Sequence, residues 1–271
     1  MKVAIQGIKG SFHHIVAQRY FNSEIEIVES LTFSNLPNVL KSNQADVAIM
    51  AIENTIAGAI LPNYNLIDAN KLQVIGEYYL PISHHFLCSP NTTLNEIKEV
   101  HSHPMALLQC HEFFKKHPQI QLVEAKDTAL VAKQIAAENP KDIGAIASAE
   151  AATTYNLKFL AKNIQTMASN ATRFFVISNQ KEEIKGVNKA SLKFVASHKK
   201  GSLAEILTVL GNHNLNLSKI QSLPVIDEPW KYAFFIDVVF KEYNQYKKAL
   251  NNIKTKILSL SVLGEYKKSK R

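Results

Sequence analysis

The sequence predicts an α/β protein in which residues 191–271 form a separate, smaller βαββαβ unit. Three observations carry this. Short runs of β-branched and aromatic residues alternate with helical patterns through about residue 180, the mark of largely parallel sheets with crossover helices. The stretch 179–190 is polar, contains Gly186 and reads as a linker. Charge also changes across it: residues 1–190 carry 17 Lys+Arg against 17 Asp+Glu, and residues 191–271 carry 14 against 6, so the net charge of +8 lies entirely in the second part.

Strands are expected where apolar runs are short and bounded by turn residues: at 3–6, 45–52, 73–80, 83–88, 99–103, 121–125, 143–147 and 172–177. Helical patterns fall between them, at 11–21, 34–43, 105–117 and 127–138. Asp127 is the expected N-cap of the last, whose Leu130, Val131, Gln134 and Ile135 follow helical spacing. After the linker come a strand at 191–197 and a helix opening at Gly201-Ser202-Leu203. Its Leu203, Ile206, Leu207 and Leu210 recur at i, i+3, i+4 and i+7. Strands at 214–225 and 232–240 flank a turn at Asp227-Glu228-Pro229, followed by a polar helix at 242–253 and a strand at 257–264. That order matches the ferredoxin-like unit.

Composition narrows the class. Hydrophobic content of 46% and charged content of 20% describe a soluble globular chain. The opening Met1-Lys2-Val3-Ala4-Ile5-Gln6-Gly7 is too short and polar for a signal peptide, and no apolar run reaches the roughly 20 residues of a bilayer span. Two cysteines, Cys88 and Cys110, make no disulfide framework and fit a reducing cytoplasm. The lysines of the basic part are scattered apart from a tail, Lys267 to Arg271, read as solvated and frayed. Without a helix-turn-helix or a stacking platform, neither nucleic acid nor membrane is expected as partner.

Candidate chemistry begins at Asn170-Ala171-Thr172-Arg173-Phe174-Phe175-Val176-Ile177. A hydroxyl and a guanidinium at the mouth of a buried strand are equipment for an anionic small molecule. The histidine pairs His13-His14 and His84-His85 point to different faces and lack further ligands at metal spacing, so no metal is expected. The Gly7 to Ser11 loop lacks the third glycine and the lysine of the phosphate loops, and reads better as a helix N-terminus facing a carboxylate. Cys110, with no base to activate it, reads as a packed thiol.

Several of these motifs, in order, resemble the prephenate dehydratases that carry a C-terminal ACT domain. Gly7-Ile8-Lys9-Gly10-Ser11-Phe12 is similar to the family's Gly-Pro-x-Gly-Thr-Phe, with Ser11 keeping the hydroxyl. Ala51-Ile52-Glu53-Asn54-Thr55-Ile56-Ala57-Gly58 resembles Pro-Ile-Glu-Asn-Ser/Thr-x-x-Gly. Ser102-His103-Pro104-Met105-Ala106-Leu107-Leu108-Gln109-Cys110 resembles Ser-His-Pro-x-Ala-x-x-Gln-Cys. Asn163-Ile164-Gln165 and the Thr172-Arg173-Phe174 triplet follow. In the last part Gly201-Ser202-Leu203 stands for Gly-Ala-Leu, Ile220-Gln221-Ser222-Leu223-Pro224 for Ile-Glu-Ser-Arg-Pro, and Pro229-Trp230 follows.

The resemblance implies a two-lobed, periplasmic-binding-protein-like catalytic region at 1–180, a linker at 181–190 and an ACT domain at 191–271. One lobe takes about 1–76 plus 166–180 and the other about 80–165. It implies conversion of prephenate to phenylpyruvate, water and carbon dioxide without a cofactor, with arogenate as the alternative substrate. Thr172, Asn54 and Gln109 are the implied catalytic donors. Arg173, Phe174, Thr55 and Ser11 are the implied substrate contacts. His103 is expected to support Gln109 across the turn at Pro104. Phenylalanine is the implied effector, held by Gly201, Ser202, Leu203, Gln221, Ser222, Leu223 and Pro224, in a homodimer or homotetramer. Gln221 and Leu223 replace both charges of the family motif, which puts the strength of that control in question. Bland readings compete: Asn54 as a helix N-cap, Gln109 as a surface position, Glu53 as the partner of Arg173, and the whole chain as a non-catalytic amino-acid sensor.

Overall fold

The computed structural model describes residues 1–181, 184–197, 199–225 and 231–269. The turn at Asp227-Glu228-Pro229, the Pro229-Trp230 pair and Lys270-Arg271 lie outside the described residues. The chain begins with β1 (Lys2–Gln6), α1 (Phe12–Phe21), β2 (Glu26–Ser30), α2 (Leu36–Lys41), β3 (Val47–Asn54), β4 (Gly58–Ala59), α3 (Leu61–Ala69) and β5 (Gln73–Pro81). Then come β6 (His85–Cys88), β7 (Glu99–Ser102), α4 (Pro104–Gln109), α5 (His111–Phe114), β8 (Gln121–Glu124), α6 (Thr128–Glu138), β9 (Ile143–Ala147), α7 (Ala149–Thr154), β10 (Lys158–Ala161) and β11 (Ala171–Ser178). The remainder is β12 (Lys189–Ala196), α8 (Ser202–Asn212), β13 (Asn216–Pro224), β14 (Tyr232–Val239), α9 (Tyr243–Lys254) and β15 (Ile257–Tyr266).

Three sheets result. The first runs β2-β1-β3-β11-β5, with β4 beside β3; the second runs β10-β6-β9-β7-β8; the third runs β13-β14-β12-β15. In the first, β1 pairs in parallel with β2 and with β3. The chain leaves this sheet through β5, builds the second, and returns as β11, which is the two-lobed topology of binding-protein-like folds. The second sheet is mixed: β7 is parallel to β8 and β9, whereas β6 is antiparallel to β9 and β10. The unexpected strand β10, a short segment of mostly intermediate burial, adds one antiparallel pairing, and the expected strands β6 and β9 make the other.

The central strands are legible because they are buried on both faces. All of β3 except Glu53 is buried, and so is all of β11 except Ala171. Such strands read as near-continuous apolar runs. Helix starts follow capping chemistry: the Asp127 carboxylate accepts from Leu130 N at 2.9 Å, and Ser11 Oγ accepts from His14 N at 3.2 Å. The single helix expected at 105–117 is instead α4 and α5, interrupted at Cys110. Strand β2, Glu26-Ile27-Val28-Glu29-Ser30, carries two glutamates and only two apolar residues, both half-buried, and so presents no apolar run.

By compactness the chain divides into one unit of Met1–Gly58 with Tyr79–Phe174 and another of Ala59–Tyr78 with Phe175–Arg271. Within the first, β6 to β9 pack on α4 to α7 through two apolar clusters, one around Phe86, Val100, Phe114 and Ile146, the other around Leu87, Ile135 and Ala145. Within the second, the βαββαβ order is as expected, all pairings in its sheet are antiparallel, and Leu192, Phe194, Ile206, Leu210, Ile236, Tyr246 and Ile253 form its core. The tail is not frayed as far as Ser269: Lys268 N donates to Asn188 Oδ1 at 2.7 Å and Ser269 N to Glu77 Oε1 at 3.1 Å. A backbone with acceptors waiting for its N–H groups docks whatever the charge of its side chains.

Candidate active site

Two strand ends and one helix end bring the site together within the first unit. Asn54 closes β3, Thr172 lies at the start of β11, and Gln109 is the last residue of α4. Each is 9% exposed, buried yet reachable. Asn54 Nδ2 lies 2.9 Å from Thr172 Oγ1, 2.8 Å from Asn170 Oδ1 and 3.2 Å from the Ala171 carbonyl. Asn170 Nδ2 donates in turn to Gln109 Oε1 at 2.8 Å, and His84 Nε2 lies 2.8 Å from the same oxygen. Thr172, Asn54, Asn170, Gln109 and His84 are therefore one continuous hydrogen-bonded chain drawn from both lobes.

The direction of these bonds decides what is left over. Asn54 donates to the threonine oxygen, so the Thr172 O–H keeps its proton for another acceptor, and none is present among the described residues. The Gln109 carbonyl takes two donors, so its NH2 has no partner among the described residues. Asn54 is spent differently: its Oδ1 accepts from Ile56 N and Ala57 N, both at 2.9 Å. It caps the turn after β3, not a helix, and the same carboxamide orients Thr172. The expected helix N-cap is therefore corrected to a turn cap.

Other expected residues take supporting positions. Thr55 ties β3 to β11: its N–H donates to the Ala171 carbonyl at 2.9 Å, and its Oγ1 accepts from Ala171 N at 3.0 Å. Ser11 caps α1 and is buried. Arg173 is 3% exposed, 3.9 Å from Glu53 Oε2, with its guanidinium 5.7 Å from the Tyr79 ring centroid. Adjacent strand residues point to opposite faces, so Arg173 projects from the other side of β11 than Thr172. Phe174 is buried with the His13 ring edge-on at 4.9 Å.

Histidines are assigned by this geometry. His103 is exposed and caps α4, its Nδ1 accepting from Met105 N at 3.2 Å. The histidine beside Gln109 is His84, not His103, which corrects the sequence expectation. In the sequence His84 stands in the His84-His85 pair, which carries no sign of a link to Gln109, and Asn170 is the first residue of the Thr172 stretch. Burial pushes His84 down to about 4 and His13 down to about 3, so both rings are neutral at ordinary pH. Burial also pushes the Cys110 thiol up to about 12, which makes it inert as a nucleophile.

In the second unit, Gly201 caps α8 in the left-handed region, and Ser202 Oγ donates to the Ser197 carbonyl at 2.7 Å. Ser202 and Leu203 line a cavity of about 310 Å³ with Lys199, Lys231, Tyr232 and Phe234. Ser222, Leu223 and Pro224 pair across the sheet with Phe234, Ala233 and Tyr232. Gln221 turns its amide onto the Ser222 carbonyl at 3.1 Å.

Uncharged donors converging between two α/β lobes, followed by a βαββαβ domain, define a small-molecule enzyme with a regulatory module. The chain belongs to the prephenate dehydratase family: residues 3–182 match the family model for prephenate dehydratase, and residues 190–242 match that for the ACT domain. The bifunctional chorismate mutase/prephenate dehydratase of Aquifex aeolicus is 35% identical over 271 residues, which are 99% of this chain and 74% of that protein. An arogenate dehydratase/prephenate dehydratase 2, chloroplastic, of Arabidopsis thaliana is 31% identical over 279 residues, covering 98% of this chain and 72% of that one. The structure of prephenate dehydratase from Arthrobacter aurescens in complex with L-Phe superposes with a TM-score of 0.88 at 24% identity, covering 99% of this chain and 90% of that one. At that identity the likeness speaks for the fold.

Proposed function

We infer that the chain is a prephenate dehydratase, converting prephenate to phenylpyruvate, water and carbon dioxide in phenylalanine biosynthesis. The reaction needs no external electron acceptor. The electron pair of the bond to the departing carboxylate moves through the ring, expels the ring hydroxyl, and leaves a benzenoid product; one proton is taken up as the hydroxyl leaves as water. The protein therefore has to grip two carboxylates, donate to the leaving oxygen and exclude water.

The observation that carries this reading is the Thr172 O–H, held by Asn54 with its proton uncommitted. In our assignment it donates to the leaving hydroxyl, while the free Gln109 NH2 orients substrate oxygens and the Asn54 carboxamide, spent within the protein, holds Thr172 in place. A donor that acts chiefly in the transition state is worth about 3 kcal/mol. A neutral site of this kind stabilises growing negative charge on the leaving oxygen without fixing the carboxylate that must depart. Ser11, Thr55 and Phe174 shape the cleft. Arg173, on the side of β11 away from Thr172 and 3.9 Å from Glu53 Oε2, we assign to orienting Glu53 at the end of β3 instead of to the substrate carboxylate.

We assign residues 1–180 to catalysis, in lobes of about 1–76 plus 166–180 and about 80–165, with 181–190 as linker and 191–271 as the ACT domain. The partition of strands among three sheets supports these bounds. Phenylalanine is the effector we assign to the ACT domain, at Gly201, Ser202, Leu203 and the strand Gln221 to Pro224. We further assign a homodimer or homotetramer and a cytoplasmic location. Among the described residues no helix is long and apolar enough to cross a membrane.

Incubation of the purified chain with prephenate, and separately with arogenate, tests the assignment. Phenylpyruvate from prephenate is the expected result. Exclusive turnover of arogenate to phenylalanine establishes the second reading, one of the two activities in the Arabidopsis relative's name. Turnover of neither substrate removes the dehydratase assignment and leaves the amino-acid sensor.

A further inference from the structure

Gln109 owes its orientation to two donors on one oxygen. Asn170 Nδ2 can only donate, so the Gln109 atom facing it is the carbonyl, and His84 Nε2 meets that same oxygen. The imidazole must then carry its proton on Nε2. Its Nδ1 is left as an unprotonated acceptor, buried and without a hydrogen-bond partner among the described residues, in a side chain 3% exposed. A position kept for packing alone has no use for such an atom, since a leucine or phenylalanine would fill it without an unpaired polar group. The backbone of His84 is clamped as well: its N–H donates to Gln165 Oε1 and its carbonyl accepts from Ile164 N, both at 2.9 Å. The ring stands edge-on to Phe12, with centroids 5.6 Å apart.

We propose that His84 is a positioning residue for Gln109: its Nε2–H holds the carboxamide oxygen so that both amide N–H groups face the bound substrate. The proposal rests on the dehydratase reading for its effect on turnover. Without that bond the Gln109 side chain gains rotamers in which the oxygen, an acceptor, faces the anionic substrate. The clamp on the His84 backbone by the segment 164–165 then gives that segment a part in orienting Gln109. His84 touches no reacting atom.

Kinetics of full-length variants give the test. His84→Leu fills the volume without a donor, and His84→Gln restores an amide N–H at nearly the same reach. His84→Leu is expected to lower kcat about 100-fold, the effect of a small misplacement of a catalytic group, with KM changed far less. His84→Gln should recover most of that loss, and His84→Leu should have no further effect in a Gln109→Ala background. Unchanged kcat in His84→Leu, or an equal loss with and without Gln109, overturns the proposal. A measurement independent of activity is the imidazole nitrogen NMR spectrum of the native chain near pH 7. A single Nε2–H tautomer that becomes mixed in Gln109→Ala supports the bond, and a native Nδ1–H or mixed tautomer overturns it. If the native chain turns over neither prephenate nor arogenate, the dehydratase reading falls, and the tautomer alone decides whether His84 orients Gln109.

Discussion

Thr172 shows how little a single side chain needs to change for a site to appear. Its hydroxyl is held by Asn54 at 2.9 Å in a position 9% exposed. Thr172→Ala should lower kcat by about 100- to 1,000-fold, the loss typical of one transition-state donor, while circular dichroism and melting temperature stay near native. Near-normal turnover would take Thr172 out of this role. The buried histidines carry a second expectation. Folded His13 and His84 titrate at about 3 and about 4, below the unfolded value near 6.5, so the unfolded chain binds more protons between those limits. Stability then rises with pH across that window and is lost as the solution is acidified from about 6.5 toward 4. Each ring contributes up to about 1.4 kcal/mol per pH unit there. Denaturant midpoints measured at pH 7 and pH 5 check the sign, and a midpoint that did not fall at pH 5 would contradict it.

Strands and helices carry a different kind of constraint. β12 begins with Lys189, 1% exposed, whose ammonium lies 2.8 and 3.0 Å from the carboxylate oxygens of Glu77 on β5, itself 2% exposed. Both residues lie in the second compact unit, to which residues 59–78 belong. Removing one partner leaves a buried charge, so Lys189→Met should cost about 3–5 kcal/mol, and the double change Lys189→Met, Glu77→Leu should restore most of it. Urea unfolding of the two variants decides this; equal losses would show that the residues act separately. β15 explains a glycine in the same way. A Cβ on Gly264 would lie 2.0 Å from the Val74 carbonyl oxygen, backbone that cannot swing aside, so close approach of β15 to β5 requires hydrogen there. Neither constraint is visible locally, because Glu77 and Lys189 are 112 residues apart.

For the molecule entire, the assigned ACT ligand offers the most direct measurement. A ligand that binds only the folded state stabilises it by about 2.7 kcal/mol at 100 times its Kd. Phenylalanine at millimolar concentration should therefore raise the melting temperature and give a binding isotherm by calorimetry; absence of both would remove phenylalanine as effector. Light scattering across protein concentration should return a dimer or tetramer, and a monomer at every concentration would remove that assignment. The loss of both charges at Gln221 and Leu223 relative to the family motif bears on this result, since Leu223 is buried in the strand beside Ala233.

Apolar runs at 45–52 and 172–177, the helical spacing of Leu203 to Leu210 and the βαββαβ order were decided by short stretches of residues, because period and burial are properties of neighbouring positions. The same holds for Asn54, Gln109 and Thr172, which sit inside motifs. Tertiary structure alone decided that Asn170 joins them and that His84 and not His103 stands beside Gln109. Those facts depend on hydrogen bonds between residues 25, 61 and 116 positions apart, and no local pattern encodes which distant donor will meet a given carbonyl. The direction in which each donor is spent, and so the proton left free on Thr172, exists only once both lobes have closed the chain of contacts.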